Sequence, residues 1–363
     1  MGWLGRCLAE LNQLNLAADY FQQALSELRM LESAPIIRQE IGWLQIYLAT
    51  VLKEIEDYVG AKEAYEVALP IMQETRNTHN EAIIQSQLGT LAMLQGNLIE
   101  AEQRLSLALP LFQQLKKPLS EADAWHSLGE IYQQTKNLQA SAQAYQQAAQ
   151  IREQQGELAA AAKSWYQFAQ INQTLGNLSQ AETGYSKTIE FAKTNKDWIG
   201  IANGLYSLAD LLHNQPLRLD EARQFAETGL SVSKTLDPNV ATIWKTYSLL
   251  AKIAELQNDA LQAQSYRCLA RETKANSAEA QNELQQHQQF IDAVVAAVAK
   301  PALQSQLESM LQKREAKGWT QLTAAIRRVL AGDRDWNMLC DAERLDLLDS
   351  VILQRILQRV SNR

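Results

Sequence analysis

Apolar residues recur along this chain with the spacing of amphipathic helices. In successive segments, apolar residues recur at helical spacing, and polar residues rich in glutamine lie between them. Short turns at 96–97, 136–137 and 176–177 separate segments, and each turn holds a glycine or an asparagine, which favours the end of a helix. The pattern therefore predicts an all-helical chain built from pairs of helices.

A period of about 40 residues groups these helices into repeats. One small residue marks the first helix of each pair, and another marks the second helix. The first series advances by 44, 40, 40, 40, 40 and 42 residues and consists of Gly5, Ala49, Gly89, Gly129, Ala169, Ala209 and Ala251. The second series consists of Ala24, Ala68, Ala108, Ala148, Thr188, Gly229 and Ala270. Such a period is typical of stacked units and not of a domain built around one pocket.

The fourth repeat carries the most complete motif. It contains Trp125, Leu128, Gly129 and Tyr132, followed by Ser141, Tyr145 and Ala148. This resembles the tetratricopeptide repeat signature W-x2-L-G-x2-Y…A-x3-F. The longer period resembles the variety found in kinesin light chains and bacterial signalling proteins. The resemblance implies an all-α, right-handed solenoid of about seven helix-turn-helix repeats with a C-terminal helical cap or module.

The repeat pattern divides the chain into three predicted regions. Residues 1–270 form the repeat array, and residues 271–300 form one long capping helix. Residues 301–363 form a small module of three amphipathic helices, the last of which starts near Asp341. Only four residues precede Gly5, so the first repeat is truncated and lacks a cap, which favours a fragment of a longer protein.

Two prolines interrupt the second helices of the second and third repeats. Pro70 and Pro110 stand two residues after the small residues Ala68 and Ala108. Because proline lacks the backbone N–H and clashes with the preceding turn, it predicts either a kink or an early end of the helix.

Composition and charge limit the function classes. Residues 1–300 carry 24 basic and 33 acidic side chains, so this part would repel a phosphate backbone and disfavours nucleic acid. The most apolar stretch, 293–299, is far shorter than the roughly 20 residues that cross a bilayer, which argues against a membrane protein. Three widely spaced cysteines without a CxxC pair fit a reducing, cytoplasmic compartment.

The sequence contains no motif for catalysis or cofactor binding. It has no glycine-rich phosphate loop, no GxSxG and no HExxH, so we expect neither an enzyme nor a cofactor. Asp123, His126 and Glu130 share one helical face, but a metal site there would need further ligands from a second repeat. A polar wall of a groove is the favoured interpretation, and we expect no metal.

The resemblance also places a candidate binding groove. In tetratricopeptide arrays the first helix of each repeat lines the concave face, so positions counted from the small residue of each first helix are expected there. The candidates are His126, Glu130, Gln133, Tyr166, Gln170, Gln173, Tyr206, Asp210 and His213. The lysine and asparagine pattern of chaperone-binding repeats is absent from these positions, and so is the asparagine series of kinesin light chains.

These candidates favour a protein or peptide partner. Tyr166 and Tyr206 offer large, rigid contact areas, while Glu130 and Asp210 favour a ligand with lysine or arginine. We therefore predict a peptide or helix with basic and apolar residues near repeats four to six. The alternative is that the two tyrosines pack only within the solenoid.

The sequence thus predicts a protein–protein interaction scaffold or adaptor, as part of a larger bacterial protein. One alternative is a regulatory or sensor subunit that controls an enzyme domain absent from this chain. Another is a structural array that self-assembles through the uncapped first repeat.

Overall fold

The computed structural model describes residues 1–29, 35–236, 243–342 and 344–362. Within these ranges the chain forms helices and no β-strand, which confirms the all-α fold class. The α-helices are α1 (Gly2–Glu10), α2 (Leu14–Arg29), α3 (Pro35–Glu54), α4 (Tyr58–Glu74), α5 (Thr78–Leu94), α6 (Leu98–Gln114), α7 (Pro118–Gln134), α8 (Leu138–Gln154), α9 (Leu158–Leu175), α10 (Leu178–Thr194), α11 (Trp198–Leu212), α12 (Leu219–Ser233), α13 (Ile243–Leu256), α14 (Ala260–Ala275), α15 (Ala278–Gln286), α16 (Gln288–Ala299), α17 (Gln304–Glu315), α18 (Thr320–Ala331), α19 (Trp336–Ala342) and α20 (Leu347–Ser361). Two 3₁₀ helices span Pro216–Arg218 and Pro301–Leu303.

The chain divides into two compact units, Met1–Asn195 and Lys196–Arg363. The first unit contains helices α1–α10, which form five pairs, and the second begins with two further pairs, α11–α12 and α13–α14. Each pair corresponds to one predicted repeat, with the odd-numbered helix first. The second unit then continues with α15–α20.

In the first, third and fourth repeats, the glycine of the first helix lies where the second helix of the same repeat packs. A Cβ atom added to Gly129 would stand 2.8 Å from the Tyr145 ring, and one added to Gly89 would stand 2.8 Å from Leu105 Cγ. Tyr145 and Leu105 are themselves buried. In these two repeats the helices therefore approach so closely that an added β-carbon would require the neighbouring side chain to shift, and a small residue is favoured there, as the repeat pattern predicts.

In the turns between the helices, one residue ends the first helix and the next residue caps the second helix. Lys136 has a φ of 62° and Gly96 a φ of 74°, so these residues supply the left-handed conformation that ends the first helix. The following asparagine then starts the second helix. Asn137 Oδ1 accepts the backbone N–H of Ala140 at 3.4 Å, which caps α8.

The two prolines lie within continuous helices. Pro70 is inside α4, which continues to Glu74, and Pro110 is inside α6, which continues to Gln114. The predicted early end of these helices is therefore wrong.

The single helix predicted over 271–300 is wrong. The chain instead forms the end of α14, then α15, then α16. Ser277 separates α14 from α15. Its ψ of 151° is extended, and its hydroxyl accepts the backbone N–H of Ala280 at 3.2 Å, which caps a new helix. Asn276 and His287 separate the three helices.

The last region also differs in detail from its prediction. It contains four α-helices, α17–α20, where three were predicted, and the final helix begins at Leu347 and not near Asp341. The apolar faces of α15–α20 meet in one hydrophobic cluster that extends from Ala280 to Leu357. The predicted separation of a capping region from a C-terminal module stays a prediction. No helix in the described ranges is both long and apolar enough to span a bilayer.

Candidate functional site

The structure distributes the nine predicted groove residues over three first helices. His126, Glu130 and Gln133 lie on α7, and Tyr166, Gln170 and Gln173 lie on α9, all within the first unit. Tyr206 and Asp210 lie on α11 of the second unit, and His213 directly follows that helix. Gln133 is exposed, and the other eight side chains are half-buried. The chain therefore places most of these polar groups at a partly accessible surface.

A polar cluster joins α7 and α9 through the helix between them. We define it as Asp123, His126, Arg152 and Ser164. Arg152 Nη2 donates to Asp123 Oδ1 at 2.7 Å, and Nη1 donates to Ser164 Oγ at 2.7 Å. His126 Nδ1 lies 3.1 Å from the same Ser164 hydroxyl. The cluster thus connects the first helices of two consecutive repeats.

Arg152 and Ser164 are the members of the polar cluster that sequence reasoning missed. Only 9% of Arg152 is exposed, which is unusual for an arginine and requires the hydrogen bonds that it makes. The equivalent positions of the two preceding repeats hold the buried apolar residues Met72 and Phe112. A charged residue at a position that is apolar in the two preceding repeats was the available signal.

His126 is held from three sides. Arg152 Nη1 lies 3.4 Å from His126 Nδ1, and His126 Nε2 lies 3.5 Å from Glu130 Oε1. The ring also packs edge-on against Tyr145 with 5.2 Å between centroids. Because a guanidinium has only donors, the arginine favours the tautomer in which Nδ1 accepts and Nε2 carries the proton. His126 therefore directs an N–H towards Glu130.

Buried tyrosines of the second helices orient the glutamines of the first helices. Tyr145 donates its hydroxyl to Gln133 Oε1 at 3.1 Å, and Tyr185 donates to Gln173 Oε1 at 2.6 Å, one repeat later. Burial and the nearby Glu130 raise the pKa of Tyr145, so this phenol keeps its proton and stays a donor. Both amide groups are therefore fixed by the repeat that carries them.

Tyr166 packs edge-on against Tyr185, with 5.7 Å between ring centroids. It is half-buried, so part of the ring is in contact with its own repeat and part is accessible. This contact provides a rigid aromatic surface beside Gln170 and Gln173 on α9.

The second unit contains a pocket of about 650 Å³, which we call the C-terminal pocket. Its lining comes from α11, α13 and α14 and from the segment 345–347 that starts α20. The lining residues are Tyr206, Asp210, Trp244, Lys245, Ser248, Leu249, Ala251, Lys252, Glu255, Arg267, Ala270, Arg271, Leu345, Asp346 and Leu347. Two of the predicted groove residues, Tyr206 and Asp210, thus line one wall. The part of the lining at 345–347 lies outside the repeats, so the repeat pattern did not predict it.

The two cysteines of the second unit have raised thiol pKa values. Cys340 is fully buried, and this burial raises the pKa of its thiol to about 12. Burial also raises the pKa of Cys268. Across the described ranges, no group of three or more histidine, cysteine, aspartate or glutamate side chains is arranged to hold a metal ion.

Comparison with known proteins agrees with the repeat architecture. Residues 80–154 match the tetratricopeptide repeat family. Among curated proteins, none matches this sequence. The matched residues include the third and fourth repeats, which contain Gly89 and Gly129.

Solved structures of helical repeat proteins resemble the chain. The C-terminal part of a TPR repeat-containing protein from Cytophaga hutchinsonii aligns with a TM-score of 0.54 and 15% identity, over 75% of this chain and 93% of that chain. A signal transduction ATPase with numerous domains and a tetratricopeptide repeat sensor, from Pyrococcus horikoshii, aligns with a TM-score of 0.54 and 16% identity, over 74% of this chain and 47% of that chain. BtubC from P. vanneervenii aligns with a TM-score of 0.45 and 19% identity, over 72% and 91% of the two chains. The family match and the two alignments with a TM-score of 0.54 confirm the resemblance to tetratricopeptide repeat proteins.

Proposed function

We propose that this tetratricopeptide repeat chain is a protein-interaction module that holds a peptide or a helix of another protein. It serves as a scaffold or adaptor, or as the sensor part of a larger bacterial protein. The surface in question is formed by α7 and α9 in the first unit, and it includes His126, Glu130, Gln133, Tyr166, Gln170 and Gln173. The other three predicted groove residues, Tyr206, Asp210 and His213, lie in the second unit and are not part of this proposed surface.

The polar cluster is the observation that carries this proposal. A structural contact between two repeats needs only apolar packing, as Met72 and Phe112 show at equivalent positions. The fourth repeat instead buries Arg152 and uses it to fix Asp123 and His126 at the accessible surface. Polar groups held in place before binding lose little conformational entropy when a partner arrives, which favours their use in recognition.

The exposed acids of α7 suggest the chemistry of the partner. The Asp123 side chain is 71% exposed and that of Glu130 is 44% exposed. Tyr166 provides an aromatic surface on the neighbouring first helix. The proposed partner therefore presents a lysine or arginine together with an apolar residue.

A capture experiment with matched variants tests this proposal. The whole chain is immobilised, and the proteins it retains are compared with those retained by Tyr166→Ala and Glu130→Gln. Leu107→Ala, which alters an exposed apolar residue on the second helix α6, is the control. We expect the Tyr166 and Glu130 variants to lose the same proteins, while Leu107→Ala keeps them and circular dichroism shows equal helicity. Equal retention by all the variants would contradict the proposal.

Self-association through the first repeat is a second candidate function, because α1 exposes large apolar groups. Trp3 is 77% exposed, and Leu11, directly after the helix, is 69% exposed. Exposed apolar side chains of this size favour burial against another surface. The test is light scattering at two concentrations, with Trp3→Lys as the comparison. A mass that rises with concentration only in the unmodified chain would support this function, and a constant mass would exclude it.

A further inference from the structure

We propose that the C-terminal pocket binds an acidic segment of a peptide, in which an aspartate or glutamate lies beside an apolar residue. The inference rests on the proposed peptide-binding function and names the ligand chemistry of a second site. The volume of about 650 Å³ is within the range of pockets that hold a small ligand or a few side chains.

The pocket is completed by a segment that does not belong to the repeats. Leu345 is buried, and Asp346 caps α20 by accepting the backbone N–H groups of Leu348 and Asp349 at 2.9 and 2.8 Å. Arg271 of α14 holds α19, which precedes this segment, because it donates to Asp341 Oδ1 at 2.5 Å and to Asn337 Oδ1 at 3.3 Å, and the Leu345 N–H donates to the Cys340 carbonyl of α19 at 2.9 Å. The wall is therefore held in place without a ligand.

Each acidic group of the lining is already engaged. Glu255 forms an ion pair with Arg267, and Asp346 accepts the N–H groups that cap α20. Asp210 Oδ1 lies 3.6 Å from His213 Nδ1. The two arginines are also occupied, since Asp341 faces both Arg267 and Arg271.

Two lysines of α13 differ from the other charged groups. Lys245 and Lys252 are exposed and seven residues apart, so they lie on the same side of the helix, with the half-buried Ser248 between them. Among the residues that the structure describes, no carboxylate forms an ion pair with either ammonium group. The charge that the pocket offers to a ligand is therefore positive, and a carboxylate is the group that complements it.

The apolar part of the pocket is the reason why we propose an apolar residue beside the carboxylate in the bound peptide. Leu345 and Leu347 form one side, and Trp244 contributes an aromatic ring that Lys274 Nζ approaches at 4.1 Å from the centroid. A peptide that places an apolar side chain on this wall brings an adjacent carboxylate towards α13. A peptide segment can supply both the apolar side chain and the carboxylate at once.

Three labelled pentapeptides test the proposal with the full chain. They share a frame of alanine and leucine and carry a central glutamate, glutamine or lysine. Fluorescence polarisation should show that the glutamate peptide binds about tenfold more tightly than the glutamine peptide, the difference expected for one charge-assisted contact. The lysine peptide should bind more weakly still. Equal affinity for the three, or a preference for lysine, overturns the proposal.

Variants and a footprint locate the binding. Lys252→Glu should weaken binding of the glutamate peptide about tenfold and favour the lysine peptide. Lys163→Glu, which reverses the charge of an exposed residue on α9 of the first unit, should leave the affinities for the glutamate and lysine peptides unchanged. In mass spectrometry, the glutamate peptide should slow acetylation of Lys245 and Lys252 but not that of Lys163. Binding without this protection contradicts the assignment to the C-terminal pocket.

The two proposals fail separately. If the glutamate peptide does not bind while capture of partners still depends on Tyr166, the pocket assignment is wrong and the interaction function stands. If capture is insensitive to Tyr166 but the peptide protects Lys245 and Lys252, the first-unit surface is wrong and the pocket assignment stands.

Discussion

Arg152 and Asp123 form an ion pair between the second and the first helix of the fourth repeat, with 2.7 Å between Nη2 and Oδ1. One repeat earlier, Phe112 and Ile83 occupy the two equivalent positions and pack in one hydrophobic cluster. The fourth repeat thus replaces an apolar contact of the third with a charged one.

This replacement predicts that exchanging the two residue types has unequal effects on stability. Arg152→Met should change the free energy of unfolding by less than about 1 kcal/mol, because an apolar side chain suits this position and the exposed Asp123 stays solvated. Phe112→Arg should cost about 3–5 kcal/mol, because it buries a charge beside Ile83 without a carboxylate. Urea unfolding of both variants measures the difference. A cost for Arg152→Met equal to that of Phe112→Arg would show that the ion pair is required for stability.

The close contact at Gly129 predicts a steric limit. Gly129→Val should destabilise the chain by about 1–3 kcal/mol, since its Cβ alone would stand 2.8 Å from the Tyr145 ring and the γ-methyl groups need more room. Gly129→Ala is the matched control, because Ala169 and Tyr185 coexist at the equivalent positions of the fifth repeat. Thermal unfolding should therefore rank valine well below alanine. Equal stability of the two variants would contradict a close-packed contact.

Asp349 predicts a pH dependence of stability in the second unit. Burial, followed by Asp346 and Glu283, raises the pKa of Asp349 from 3.8 to about 6. The folded state therefore holds a proton that the unfolded state releases, and the free energy of unfolding falls as the pH rises from about 4 to about 6. Asp349→Asn should remove this decline and stabilise the chain at pH 7.

Denaturant unfolding across pH 4–7 measures the effect, with Glu272→Gln as a control, since Glu272 is exposed on α14. The control should keep the slope of the unmodified chain. A slope that persists in Asp349→Asn would assign the pH dependence to another group.

The ion pair of Arg271 and Asp341 predicts that substituting the two residues costs unequal amounts of stability. The Arg271 side chain is only 5% exposed, whereas that of Asp341 is 24% exposed and also faces Arg267. Asp341→Ala should cost about 3–5 kcal/mol because it leaves a buried guanidinium without its carboxylate. Arg271→Met should cost less, because an apolar side chain fills the position. Hydrogen exchange in α19 should rise more in Asp341→Ala, and an equal rise in both variants would argue against a buried-charge effect.

The sequence predicts the repeats because their signal is local and periodic. A small residue such as Gly129 must recur wherever two helices approach closely, and capping residues such as Asn137 must recur at the turns. Both requirements act within one repeat, so they appear as a fixed spacing. The first-helix positions of His126 and Tyr166 follow from the same spacing.

The C-terminal helices show why other features were not predictable. Residues 271–300 have helical propensity and an apolar stripe throughout, so the pattern predicts one helix, yet Ser277 caps a new helix after α14. A serine within a helix and a serine at its start are not distinguished by periodicity. The packing of α15–α20 around one cluster selects the break.

The sequence by itself determined the helical class, the repeat period and the residues of each first helix, because short-range packing and capping set them. Only the tertiary structure decided how Arg152 meets Asp123 and where Leu345–Leu347 close the C-terminal pocket. These contacts join residues distant along the chain, and no local rule specifies which charged side chain finds which partner. The same two contacts define the surfaces for which we propose ligands.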